Sequence, residues 1–298
     1  MRQASKLETP ETQTRLPKVR RWNPWQILLR TLAFVLLCII SAAILFPALW
    51  MISTALKPDT QVYASPPIWI PDPLMWENFA KAWSLAPFTR YFINTSLFTL
   101  AVVFGTVLSC SLAAYGFAKL RFPGRDFLFV VLLATMMIPG MVTMIPQFIL
   151  FSKLGWVGTY LPLVVPSFFA GAFFTFLLRQ FYLTIPTELS EAAKMDGASD
   201  FWIWRRVIVP LSAPALSTVA IFTFEGTWNS YVGPILYLNK EELYTLQVGL
   251  QFFRTASEVQ WQYLMAASLL VMLPVIIIFF AFQRYFVEGA AISSAVKG

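Results

Sequence analysis

Long apolar stretches alternate with short polar runs along this chain, and six of them stand out, at 27–51, 92–117, 127–151, 161–181, 211–238 and 263–286. A helix crossing a bilayer core needs about 20 mainly apolar residues. The pattern therefore predicts an all-α integral membrane protein with six transmembrane helices and both termini on one side. The only long polar, charged segment lodged between apolar runs is 185–210, reading IPTELSEAAKMDGASDFWIWRRVIVP. Thr187 reads there as an N-cap, with Glu188 and Glu191 in the first turn, where the helix dipole favours acids. Gly197 ends this helix in a left-handed conformation, and Ser199 with Asp200 caps a second one through Phe201, Trp202 and Trp204. The expectation is helix, sharp break, helix, between the fourth and fifth spans.

Residues 1–24 are polar and basic without periodicity, which predicts a solvated tail. The apolar run after it continues through Ile44, Leu45, Phe46 and Trp50, too long for the core of a signal peptide, so an uncleaved span is expected. Between 57 and 90, Pro58, Pro66, Pro67, Pro71, Pro73 and Pro87 rule out a long helix and leave an extended segment ending in a short helix around 76–83. Gly105, Ser109 and Ala113 put small side chains on one face of the second span, which suits close helix packing. Pro139, Gly140 and Pro146 predict that the third span is kinked or opened. Asn94 reads as a cap or an interhelical hydrogen bond. No internal repeat is apparent.

Composition supports the membrane reading. The chain has 298 residues, 58% hydrophobic and only 12% charged, with 28 Phe and 11 Trp, far from the soluble average. The net charge of +7 comes from basic residues beside hydrophobic spans, which orients membrane proteins and argues against nucleic acid. One side collects all of the 22 Lys and Arg residues except Lys57, Lys81, Arg90, Lys153, Lys240 and Arg254. By the positive-inside rule that side, with both termini and the 185–210 loop, is cytoplasmic. With no His, and with Cys38 and Cys110 both inside apolar runs, neither a zinc site nor a disulfide framework is expected. No GxxxxGK[ST] sequence occurs, so the chain has no P-loop and is not expected to hydrolyse ATP.

Glu191, Ala192 and Ala193, followed by Gly197 and Pro210, stand at the spacing of the EAA loop, and in this the chain resembles the permease subunits of binding-protein-dependent ABC importers. Val207 and Val209 depart slightly, standing where that family usually has Ile and Leu. KMDGAS and the terminal QRYFVEG and AVKG are similar to the carbohydrate branch. The likeness runs from about residue 25 to the end. It implies a homologous second permease, an ATPase dimer holding ATP and Mg, an external substrate-binding protein, a sugar cargo and a bacterial inner-membrane location. It assigns the ATPase contact to Glu188, Glu191, Ala192, Ala193, Asp196 and Gly197, and likens the C-terminal tail, 287–298, to one reaching toward the ATPases. A competing reading makes the loop an interfacial connector anchored by Trp202, Trp204, Arg205 and Arg206.

Glu225 is the one acid well inside an apolar span, where an ionisable group is expensive and faces a cavity, partner or substrate. Trp228, Asn229, Ser230 and Tyr231 follow it. Aromatic faces with amide, hydroxyl and carboxylate groups match a sugar, so Glu225, Trp228, Asn229 and Tyr231 are candidates to line a path; the family has a similar Trp-Asn pair here. The other reading is a hydrogen-bond network to a neighbouring helix or subunit. Other function classes also stand: an importer of a phosphorylated polyol or amino acid, a proton-coupled carrier using Glu225, or a scaffold recruiting a soluble protein.

Overall fold

A computed structural model describes residues 24–254 and 259–295, in two compact units, 1–50 and 51–298. The expected tail at 1–23 lies outside the described residues. In the first unit the described residues form a single helix, α1 (Pro24–Ala55), whose last turn runs on past the boundary. It begins on a proline, tolerated in a first turn because no intrahelical partner is needed there.

Along the second unit come α2 (Glu77–Ser84), α3 (Phe88–Lys119), α4 (Arg125–Ala134), α5 (Gly140–Lys153), α6 (Ala172–Thr184), α7 (Thr187–Met195), α8 (Asp200–Ile203), α9 (Ala213–Trp228), α10 (Val232–Tyr237) and α11 (Trp261–Ala295). Among the described residues four helical stretches are long and apolar enough to cross a membrane, and six when each sharply bent pair counts as one span. The chain is an all-α integral membrane protein.

The third apolar stretch is opened where Pro139 and Gly140 predict, and the fifth is not the continuous helix that 211–238 suggests. In the third, α4 and α5 meet at a 99° bend. Pro139 has no N–H for the ladder and holds Ile138 in an extended conformation, so the helix cannot pass through. The fifth is entered through an 82° turn at Ser212. It then breaks at residues 229–231, where Asn229 closes α9 and Tyr231 opens α10. At the C-terminus α11 continues to Ala295, where the sequence suggests a tail from 287; residues 296–298 lie outside the described residues.

Helix α3 organises the second unit, packing along α6 and α9, while α9 also packs on α11 and α11 on α2. Lipid is as apolar as leucine, so such packing depends on close approach and polar contacts rather than on burial alone. The small-residue stripe supplies both. Gly105 lies against Ser167 and Phe168. Ser109 Oγ donates to Ser167 O at 2.9 Å and accepts from Ala170 N at 3.2 Å. Asn94 lies inside α3 and caps nothing; its amide donates to Glu242 O and Tyr244 O at 2.8 and 3.0 Å, tying α3 to a loop.

Two apolar clusters sit at opposite ends of α3. One gathers Ala55, Phe88, Tyr91, Trp228, Leu246, Phe253 and the start of α11. The other gathers Cys110, Ala114 and Tyr115 with Leu178, Tyr182, Ile203, Trp204, Ile208 and Val219. This second cluster carries the polar loop.

Candidate functional site

The polar loop is the helix, break and helix that its residues predict, with two local corrections. Thr187 is the first residue of α7 and not its cap; Pro186, at φ −54° and ψ 136°, stands at the N-cap and makes no side-chain cap bond. Glu191 consequently stands beyond the first turn, and only Glu188 gains from the dipole there. The break is a Schellman turn: Ala198 N donates to Ala193 O at 2.9 Å and Gly197 N to Lys194 O at 3.0 Å. Gly197 sits at φ +82°, a conformation that costs an L-residue with a side chain about 1–2 kcal/mol. Ser199 then caps α8, its hydroxyl accepting from Trp202 N at 3.3 Å.

Glu188, Glu191, Ala192, Asp196 and Gly197 are exposed, while Ala193 is half-buried with its methyl against the second cluster. Met195 is 89% exposed, and Leu189, Phe201 and Trp202 are also exposed. A hollow of about 530 Å³ lies beside the turn, lined by Ala193, Asp196, Gly197, Ala198, Ser199 and Trp202. On the other side of α7 a cleft of about 680 Å³ separates it from the α3–α4 loop; Arg121, Arg125, Ser190, Glu191 and Lys194 are among its lining. Charged and apolar groups thus stand proud of the bundle between two concavities, as on a docking element.

The loop is tied at its surface by one ion pair and beneath it by a buried hydrogen bond. Lys194 Nζ meets Asp200 Oδ1 at 2.8 Å across the break. Trp204, a headgroup anchor in one reading of the sequence, is 8% exposed, and its indole N–H donates to Ser111 Oγ at 2.9 Å. The backbone over Trp204–Ile208 is π-helical, and both of its end residues are buried. Trp202, Arg205 and Arg206 remain exposed.

The residues expected to line a path divide. Phe222, Glu225, Gly226 and Asn229 recur at helical spacing and form one open face of α9. Trp228, one residue from Asn229 but about 100° around the helix, points the other way. It is 3% exposed, stacks on Phe224, meets Phe92 edge-on and donates its indole N–H to Val271 O at 3.0 Å. Its indole is occupied in the core and does not line the open face. Tyr231 is half-buried at the break. A residue that sequence reasoning missed joins the polar face: Gln247 Nε2 donates to Asn229 Oδ1 at 3.2 Å. Its signal was a lone amide in the apolar run LQVG.

A bent polar loop carried by a bundle of apolar helices, with an acid on an open helix face, fits a membrane transport subunit. The chain belongs to the family of binding-protein-dependent transport system inner membrane components, whose model matches residues 102–291. Permeases of this family work with a partner permease, an ATPase and a substrate-binding protein in the inner membrane. Among relatives, the arabinooligosaccharides transport system permease protein AraQ of Halalkalibacterium halodurans is 31% identical over 282 residues, 94% of this chain and 99% of the relative. The sn-glycerol-3-phosphate transport system permease protein UgpE of Yersinia enterocolitica is 33% identical over 263 residues, 86% of this chain and 93% of the relative. A solved bacterial ABC transporter involved in the import of the acidic polysaccharide alginate contains a chain 25% identical with a TM-score of 0.80, covering 89% of this chain and 99% of its own. Family membership displaces the proton-coupled carrier and the scaffold as readings of this chain.

Proposed function

We propose that this permease forms one half of the translocation path of an ATP-driven sugar importer and that α7 with the Gly197 turn is its coupling element. The observation that carries the reading is the rigid, exposed turn itself: Gly197 at φ +82° between a hollow and a cleft, on a loop bonded into the bundle. The excess of basic residues on the same side supports a cytoplasmic position for the loop and for both termini. There the partner ATPases hold ATP and Mg. Glu188, Glu191, Ala192, Asp196 and Gly197 form the contact, with Ala193 holding the helix to its base. When ATP closes the ATPase dimer, the loop follows as a rigid body. The permease pair passes from inward-open to outward-open and receives sugar from the binding protein, and hydrolysis resets it. The chain itself makes and breaks no covalent bond.

On the substrate side Glu225, Asn229 and Tyr231 remain the path residues, with Gln247 added as the group that orients the Asn229 amide. A carboxylate facing a path repels anions and accepts hydrogen bonds from hydroxyl groups, which favours a neutral saccharide over a phosphate ester or a uronate. The second reading, a phosphorylated polyol, is favoured by the UgpE relative alone. Glu225→Gln tests the assignment, because it keeps the shape and removes the charge. Charge-assisted hydrogen bonds contribute about 1.5–3 kcal/mol, so sugar uptake by the reconstituted importer should fall about tenfold or more. Unaltered uptake together with unaltered sugar-stimulated ATP turnover would remove the carboxylate from the path.

A further inference from the structure

The arm that begins with α8 is covalently joined to the bundle at both ends: by the 82° turn at Ser212 into α9, and through α7, which follows α6 after only Ile185 and Pro186. Between these ends a pair of polar rungs ties it to α3. Ser111 and Tyr115 lie one turn apart on α3; Asp200 and Trp204 lie four residues apart on the arm, and they pair in antiparallel order. In the inner rung Trp204 Nε1 donates to Ser111 Oγ at 2.9 Å, and Ser111 Oγ stands 2.7 Å from the Tyr182 hydroxyl of α6. In the outer rung the Tyr115 hydroxyl donates to Asp200 Oδ1 at 3.4 Å, the same oxygen that Lys194 of α7 grips.

We infer that these rungs transmit movement of the coupling loop to α3, with Ser111 as the positioning residue where α3, the arm and α6 meet. The inference rests on the coupling reading above and deepens it.

Three features carry it. The inner rung belongs with an apolar cluster of Cys110, Ala114, Leu178, Ile203, Ile208 and Val219, contributed by α3, α6, the arm and α9. Apolar contact is non-directional and lets helices slide. A hydrogen-bonded triad in a dry site fixes register, and it is tolerated only when every member is satisfied. A serine meets that condition, since one hydroxyl accepts the indole proton and still pairs with the tyrosine. Ser111 is 1% exposed and Tyr182 fully buried, so water does not compete for either. Finally, the π-helical turn brings Trp204 and Ile208 inward together, and such turns concentrate at functional sites. A push on the loop therefore drags the near end of α3 along with α6 and α9, and the Ser212 turn cannot absorb it as a hinge.

The test is the number of sugar molecules moved per ATP hydrolysed by the complete importer in proteoliposomes. Loss of folded protein lowers transport and hydrolysis together and leaves this ratio fixed; a broken transmission lowers the ratio. Ser111→Ala should reduce it about fivefold or more, while a photocrosslinker at Ala192 still reaches the ATPase. Ser111→Thr, which keeps the hydroxyl, should restore it. Tyr182→Phe, which severs only α6 from the rung, should reduce it about twofold or more. It also serves as the deciding variant should Ser111→Ala fail to assemble. A wild-type ratio in either assembled variant, with the Ala192 crosslink intact, overturns the inference. Absence of that crosslink in the wild-type importer instead removes the coupling reading on which it rests.

Discussion

Replacing Gly197 with isoleucine leaves the chain in the membrane and uncouples it from ATP hydrolysis. A Cβ built at this glycine meets nothing within 4 Å, so the substitution adds no clash. What it adds is backbone strain. At φ +82° a residue with a side chain loses about 1–2 kcal/mol, and a β-branched one stands at the upper end. Relaxing that strain breaks the Ala198–Ala193 and Gly197–Lys194 bonds, each contributing about 1 kcal/mol. Since about 1.4 kcal/mol is a tenfold change, the docked geometry should become rarer by roughly thirtyfold. Co-purification of the ATPase with the permease measures it. The order of retention should be Gly, then Asn, then Ala, then Ile, because asparagine tolerates the left-handed region best among side-chain-bearing residues. Equal retention by all four would show that the turn does not set the contact.

Gly249→Ala produces a clear loss of stability. Its backbone is ordinary, but a Cβ there would lie 2.4 Å from Cδ2 and 2.7 Å from Cε2 of Tyr91. That ring cannot swing aside. It is 2% exposed, packs edge-on against Phe88 and near Tyr244, and its hydroxyl donates to Glu241 at 3.1 Å. One methyl must therefore displace either the 246–253 segment or the start of α3, and overpacking of this kind costs about 1–3 kcal/mol. The thermal unfolding midpoint of the purified protein in detergent should drop clearly. Gly116→Ala, on a helix where the new Cβ meets nothing within 4 Å, should change it little. A similar midpoint for the two variants would mean that Tyr91 is not wedged.

The parts of the molecule legible in the sequence are those fixed by local backbone chemistry. Gly197 and Ser199 announce the end of one helix and the start of another; Pro139 announces the bend between α4 and α5; the glycine–serine–alanine stripe announces a packed face. What escaped is decided by tertiary contacts. In a soluble helix the inward face is apolar and the outward face polar, so the direction of Trp228 or Trp204 could be read from its neighbours. In a membrane both faces are apolar, and that contrast disappears. Trp228 therefore looked like a path residue and Trp204 like a headgroup anchor, although each indole N–H is spent inside the bundle. The buried partners Ser111 and Tyr182, and the half-buried Gln247, were visible only as lone polar residues in apolar runs. The break at 229–231, by contrast, was signalled by Gly226, Gly233 and Pro234, which loosen the helix around it. At the loop, Pro186 took the cap position from Thr187, a competition between neighbours that capping preference alone does not resolve.

The measurement that bears most directly on the whole account is site-specific photocrosslinking from residue 192 in the importer isolated intact from its native membrane. Ala192 is exposed on α7, one residue from the half-buried Ala193 and five before the Gly197 turn. A coupling element predicts an adduct with the ATPase subunit whose yield changes when ATP is added. Adducts with lipid alone, in an assembly that still transports, would contradict it.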